Sequence, residues 1–118
     1  MNKKYIIKQT QVFNEMIATC AKVANKNYII FYRLNAFECN RYGISVGKKI
    51  GHAVVRNKLK RQVRAILSSY QKDYPFGVDC IIMIRKSCIM TDFPMLKKQL
   101  FQLLNEMKEK IYESKENK

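Results

Sequence analysis

The chain has 118 residues and a mass of 14.0 kDa, so we expect one domain over residues 1–118, loosely ordered at 1–8 and 113–118. Its 23 lysines and arginines outnumber its 9 acidic residues, which gives a formal net charge of +14, while 47% of its residues are hydrophobic. That hydrophobic content is too high for a disordered basic tail, and no apolar run approaches the roughly 18 residues of a membrane span. A charge of this size in a folded domain indicates a polyanionic partner.

The N-terminus and the cysteines both favour a cytoplasmic protein with no membrane partner. The first residues begin like a secretory leader, but Lys8 limits the apolar part to three residues. The cysteines form no C-x-x-C pair and fit no zinc-ligand spacing. We therefore expect reduced thiols and no protein-bound metal or cofactor. The four cysteines are Cys20, Cys39, Cys80 and Cys88.

The first half of the chain predicts one helix and two strands. Thr10 can cap a helix whose apolar residues follow at helical spacing. The aromatic and β-branched run Tyr28-Ile29-Ile30-Phe31-Tyr32 is typical of a strand. After a polar turn over residues 35–40, the run from Arg41 to Val46 is interpreted as its hairpin partner. The apolar positions of the helix are Val12, Phe13, Met16, Ile17 and Cys20.

The second half predicts two helices around one strand. A helix from about Ala53 to Tyr70 carries apolar residues at intervals of three and four. The nearly all-apolar run from Val78 to Ile84 is expected to be a central strand covered on both faces. A last helix is predicted from Phe93 or Pro94 to Tyr112. The order α-β-β-α-β-α predicts an α+β fold, a two-layer sandwich of a small sheet packed with helices and containing a β-α-β crossover.

The positive charge is concentrated in the middle of the chain. No acidic residue occurs between Glu38 and Asp73, whereas the segment from Glu106 to Lys118 has four acids and four lysines. Ordinary solvated surfaces mix the two signs, so the middle segment is interpreted as a binding surface. Its cations are Arg41, Lys48, Lys49, Arg56, Lys58, Lys60, Arg61, Arg64 and Lys72.

Most of these cations lie on the predicted Ala53–Tyr70 helix. At about 100° per residue, a band of polar side chains lies within about 140° of Arg56, beside the apolar stripe. Its members are Lys60, Arg64, Asn57 and Arg61. Lys58 points roughly the opposite way from Arg56. Arginine donates a bidentate fork to phosphate oxygens, lysine supplies a point charge, and asparagine donates to or accepts from sugars and bases. The band is therefore interpreted as a nucleic-acid surface, with a solvated or membrane-surface helix as alternatives.

The stretch from Ser45 to Arg64, SVGKKIGHAVVRNKLKRQVR, resembles the signature of the bacterial ribonuclease P protein subunit. That signature runs S-V-x-K-K-x-G-x-A-V-x-R-N-R-x-K-R-x-x-R, and the likeness continues in register from about Gln9 to Ile111. Two departures stand out. Lys58 replaces the usual Arg, and Ile17 replaces a second Phe that relatives often have.

The resemblance implies a ribosomal S5 domain 2-like fold, with three helices, a mixed four-stranded sheet and a left-handed β-α-β crossover. It also implies two partners, the catalytic ribonuclease P RNA and precursor tRNA, whose 5′ leader the RNA removes using Mg²⁺. No obligate protein partner is expected. Contacts to the RNA subunit are then expected from Arg56, Asn57, Lys58, Lys60, Arg61 and Arg64. Contacts to the leader are expected from Phe13, Ile17, Phe31, Lys48, Lys49, Arg85 and Lys86.

Catalysis by the protein itself is not expected, because the basic stretch holds no acidic pair, histidine dyad or metal cluster. Two other functions stay open at this point. A structural RNA-binding protein has the same charge and size but needs no leader cleft. A DNA-binding architectural protein is disfavoured because the chain shows no dimer element or helix-turn-helix spacing.

Overall fold

The computed structural model describes residues 10–35, 40–70 and 77–116, and within them the chain forms three helices and four strands. Two short 3-10 helices also occur, at Lys48–Ile50 and Lys86–Met90. The main elements are α1 (Thr10–Thr19), β1 (Ala21–Ala24), β2 (Tyr28–Leu34), β3 (Arg41–Val46), α2 (Ala53–Tyr70), β4 (Val78–Ile84) and α3 (Phe93–Glu116).

The four strands form one mixed sheet in the order β1-β2-β4-β3. β2 pairs antiparallel with both β1 and β4, and β3 pairs parallel with β4. The predicted α+β class and the four-stranded sheet are confirmed. The predicted hairpin between β2 and β3 is wrong, because β4 lies between these two strands. The β3-α2-β4 connection is the expected crossover, and its left hand stays a prediction.

β1 is a strand that the residue pattern did not predict, and it supplies the true hairpin partner of β2. The turn over residues 25–27 joins them. There the Asn25 side-chain oxygen accepts hydrogen bonds from the backbone N–H groups of Asn27 at 3.0 Å and Tyr28 at 2.9 Å. This Asx-type closure is a common use of asparagine in tight turns.

The main core fills one face of the sheet, where α2 and α3 pack. Because side chains alternate along a strand, β4 directs Val78, Cys80, Ile82 and Ile84 toward these helices. Its other face carries Ile81, which packs with Phe31 of β2 and Met16 of α1 in a second, smaller cluster. The sheet is therefore covered on both faces at β4, as its nearly continuous apolar run predicts.

α3 continues to Glu116, four residues beyond its predicted end at Tyr112, so residues 113–116 are helical. Residues 1–8 and 117–118, for which we expect loose order, lie outside the described residues.

Candidate nucleic-acid interface

The six predicted RNA-subunit contacts all lie on α2, and most of their side chains face solvent. Leu59, Val63, Ile66, Leu67 and Tyr70 bury one side of the helix in the main core. That burial fixes the rotation of the helix and turns the opposite side outward. Asn57, Lys58, Arg61 and Arg64 are exposed there, while Arg56 and Lys60 are half-buried at one flank.

The positive charge of α2 is not neutralised within the described part of the protein. The ion pairs found among residues 10–35, 40–70 and 77–116 join Arg33 and Arg41 to Asp79, Arg33 to Glu15, and Lys110 to Glu106. None of them involves a cation of α2. The exposed face of α2 therefore presents its guanidinium and ammonium groups to solvent, as binding a polyanion requires.

A second basic surface lies at the end of the sheet where β3 and β4 end and β2 begins. Ile84, the last residue of β4, pairs with Val46 at the end of β3 and with Tyr28 at the start of β2. Residues that follow β3 and β4 therefore come together at this end of the sheet. They include Lys48, Lys49, Arg85 and Lys86, and all four side chains are exposed. The structure thus collects four of the predicted leader contacts from two separate segments.

Lys26 is a further cation at this end of the sheet, and the residue pattern did not predict it. It occupies the tip of the β1–β2 turn and is exposed. Hydrogen bonds from Arg85 and Ser87 attach the turn to the segment after β4. Arg85 donates its guanidinium Nη1 to the Asn25 carbonyl at 3.0 Å and its backbone N–H to the Asn27 carbonyl at 2.9 Å, and the Ser87 hydroxyl donates to the Lys26 carbonyl at 2.8 Å. The β1–β2 hairpin, once recognised, is the signal that would have found Lys26.

The predicted apolar leader contacts belong to α1 and β2, and the two whose side chains are described differ in accessibility. Phe31 is only 7% exposed because its ring packs against Met16 and Ile81. Ile17 is 39% exposed on α1 and offers its side chain to a ligand. Phe13 also lies on α1, but its side chain is outside the described part of the structure. Phe31 therefore serves first to hold α1 on the sheet.

A buried ion cluster lies on this same face, at the opposite end of the strands. Asp79 is 1% exposed, and its carboxylate accepts hydrogen bonds from Arg41 Nε at 2.8 Å and Arg41 Nη2 at 2.7 Å. Asn35 donates to it at 2.8 Å and Arg33 at 3.4 Å. Burial acts to raise the pKa of Asp79, but these donors and the Arg41 charge outweigh burial and lower the pKa below its ordinary value. β2, β3 and β4 are thereby tied together through charged side chains.

The cysteine, histidine and acidic side chains of the described residues do not gather into a metal site. Within these ranges, no group of three or more His, Cys, Asp or Glu side chains is placed to hold a metal ion, and no helix is long and apolar enough to cross a membrane. Cys80 and Cys88 are free and buried, Cys20 is half-buried, and Cys39 lies outside the described residues. Burial raises the pKa of the Cys88 thiol to about 11, so this cysteine is a neutral thiol at physiological pH.

Comparison with known proteins places this chain in a family. The family model for ribonuclease P matches residues 1–108. The ribonuclease P protein component of Mycoplasma mycoides subsp. mycoides is 42% identical over 109 residues, which cover 92% of this chain and 100% of the relative. That of Streptococcus agalactiae is 36% identical, with coverage of 88% and 94%.

Solved structures agree with the sequence relatives. The ribonuclease P protein of Staphylococcus aureus superposes with a TM-score of 0.81 at 30% identity, covering 88% of this chain and 95% of that one. The protein from Thermotoga maritima gives 0.78 at 29% identity, covering 85% and 94%. Sequence and fold therefore lead to one assignment: this chain belongs to the ribonuclease P protein family, whose role is removal of the 5′ leader from precursor tRNA.

Proposed function

We propose that this chain is the non-catalytic protein subunit of a cytoplasmic ribonuclease P, in which the RNA subunit carries out cleavage with Mg²⁺. The observation that carries this proposal is the exposed face of α2, whose cations have no acidic partner among the described residues. In this proposal the RNA subunit binds that face through Arg56, Asn57, Lys58, Lys60, Arg61 and Arg64. No obligate protein partner or protein-bound cofactor is needed.

The unpaired leader of precursor tRNA is proposed to run from the basic end of the sheet to a cleft between α1 and the sheet. Lys48, Lys49, Arg85 and Lys86 are exposed and can follow its phosphates, while Ile17 contacts a base. Phe13 and Phe31 belong to the same cleft in this proposal, with Phe31 supporting its wall. Single-stranded nucleic acid is commonly bound in this way, by cations along the backbone and side chains against the bases.

The cations act on the reaction by reducing repulsion between two polyanions. Bringing leader and RNA subunit together accumulates phosphate charge, which Mg²⁺ must otherwise screen. Lysines and arginines that bind both molecules take over part of that screening and release condensed counterions. The protein is therefore expected to matter most at low Mg²⁺.

The direct test is leader cleavage of a precursor tRNA at low Mg²⁺. Its arms are protein alone, the cognate ribonuclease P RNA alone, both together, and both with Arg61→Ala. We expect cleavage only when both are present, and a lower rate with Arg61→Ala because that variant lacks one charge in the RNA-facing surface. Lys110→Ala is the matched control, since Lys110 is exposed on α3 and pairs with Glu106.

Two outcomes of this experiment would contradict the proposal. Failure of the protein to rescue the RNA favours the structural RNA-binding protein as the function. Cleavage by rigorously purified protein alone contradicts RNA-borne catalysis.

Ile17 gives a gain-of-function prediction. Ile17→Phe is expected to tighten leader binding about fivefold, because a ring at this exposed position adds a stacking surface and base–aromatic stacking contributes roughly 1–3 kcal/mol. The measurement is the ratio of holoenzyme affinities for precursor and mature tRNA, with Ile17→Leu as control for side-chain size. If the ratio of the two affinities is unchanged in Ile17→Phe, the side chain at position 17 does not contact the leader.

A further inference from the structure

A cavity of about 200 Å³ opens beside the RNA-facing surface of α2, between that helix and the 3-10 helix Lys86–Met90. Its lining is mostly apolar and includes Val55, Leu59 and Ile89. Polar groups from Lys58 and Gln62 also line it. The function proposed above does not use this space.

The mouth of the cavity is continuous with the exposed face of α2. Val54 lines the cavity, is 80% exposed, and precedes Arg61 by seven residues. Seven residues are close to two turns of an α-helix, so Val54 and Arg61 lie on the same side. Lys58 lies between them along the helix and also lines the cavity. An RNA backbone bound along Arg61 therefore passes over the opening.

The lining fits one particular ligand class. A nucleobase has two apolar faces and a polar edge, which matches aliphatic walls with an amide and an ammonium group beside them. Gln62 has both a donor and an acceptor for a base edge, and Lys58 reaches a phosphate as a point charge. The volume lies below the 300–1,000 Å³ of sites for drug-sized ligands, so it suits a single ring system.

We propose that this cavity binds one unpaired nucleobase of the RNA subunit, turned out of its stack while the adjoining backbone lies on α2. This assignment rests on the proposed function, because it requires RNA on that face. It gives Lys58 a separate task from Arg61, namely holding the phosphate next to the inserted base. It also explains the use of an exposed Val54 in a helix surface otherwise rich in charge.

The test is to fill the cavity mouth without changing charge. Val54→Trp places a large ring at the opening, and Met90→Trp is the matched control, since Met90 is 91% exposed and absent from the cavity lining. Binding to the cognate ribonuclease P RNA is measured across a salt series, with thermal unfolding confirming that both variants fold. We expect Val54→Trp to bind about tenfold more weakly, a loss of about 1.4 kcal/mol, because the base can no longer enter the cavity. Its salt slope should stay unchanged, because no phosphate contact is removed.

Chemical probing then locates the base. An unpaired nucleotide should be protected by the wild type and by Met90→Trp, and accessible again with Val54→Trp. Replacing that nucleotide by an abasic one should make the wild type and Val54→Trp bind equally. Equal binding of Val54→Trp and Met90→Trp to the intact RNA, or a tenfold difference that persists on the abasic RNA, overturns the proposal. A wild-type protein that does not bind the RNA at all instead overturns the proposed function beneath it.

Discussion

Replacing Asp79 by Asn is expected to lower the free energy of unfolding by about 3 kcal/mol, because it removes the charge of the buried carboxylate to which Arg41 and Arg33 both donate. Asp79 is almost fully buried, whereas the side chains of Arg41 and Arg33 are 27% and 35% exposed. Their partial exposure places the cost at the lower end of the 3–5 kcal/mol typical of broken buried pairs. Urea unfolding gives the value directly.

Glu15→Gln is the matched control for this substitution. Glu15 is 61% exposed and lies 3.6 Å from Arg33, so its replacement should change stability by less than about 1 kcal/mol. A cost for Asp79→Asn as small as that of Glu15→Gln would falsify the view that the cluster holds the strands together.

The Asp79 carboxylate makes the folded protein less stable as pH falls. The pKa of Asp79 is lowered in the folded protein below its ordinary value of 3.8, so the unfolded chain binds the proton more readily. The stabilisation that the Asp79 carboxylate gives to the folded protein is fully present above pH of about 4. It is lost as pH falls through the pKa of Asp79 in the folded state. The stability difference between wild type and Asp79→Asn should therefore be constant from pH 7 to 5 and shrink below pH 4.

The double substitution Arg61→Ala with Arg64→Ala is expected to weaken binding to the RNA subunit at least about 100-fold. Each arginine is exposed on α2 and is proposed to make a charge-assisted contact to phosphate, worth roughly 1.5–3 kcal/mol. Losing two phosphate contacts should also reduce the slope of log affinity against log salt by about two units. The measurement is a binding titration at several salt concentrations.

Lys98→Ala with Lys110→Ala is the charge-matched control, because both lysines are exposed on α3 and the pair removes the same two charges. An equal loss for both double variants means that net charge alone governs binding. Specific contact by α2 requires a much larger loss for the arginine pair.

Elements with a strong local pattern could be predicted from the sequence. The apolar positions of α2 recur every three or four residues, and the helix begins at Ala53 and ends at Tyr70, as predicted. The strands β3 and β4 also have their predicted bounds. In these segments the hydrophobic period and the tertiary environment agree, so a local signal is sufficient.

β1 and the strand pairing could not be predicted in the same way. β1 has four residues, and only Val23 is buried, so no alternation of apolar and polar side chains marks it. The prediction that β2 and β3 form a hairpin was wrong because a polar turn between two strand-like runs resembles a hairpin loop. In the folded sheet β4 lies between β2 and β3, although it comes more than thirty residues after β3 along the chain.

The part of the interface whose cations are contiguous in the sequence could be predicted. The parts that the fold brings together from separate segments could not. The α2 cations form one dense run, so the motif alone identified them. Lys26 joins Arg85 only through the β1–β2 turn, and the cavity exists only because α2 packs beside the Lys86–Met90 helix. Burial of Phe31 likewise depends on Met16, which lies fifteen residues away on α1.

The central place of β4 has a consequence for protein synthesis. β2 and β3 leave the ribosome before β4, yet each of them uses β4 as a neighbour. Until residues 78–84 emerge, β3 has no strand partner in the described sheet, and the β1–β2 hairpin presents an apolar edge with unpaired backbone groups. Such edges promote association between nascent chains. Sheet assembly is therefore a late, non-local event, and a chain truncated before Val78 is expected to aggregate and not to fold into a smaller domain.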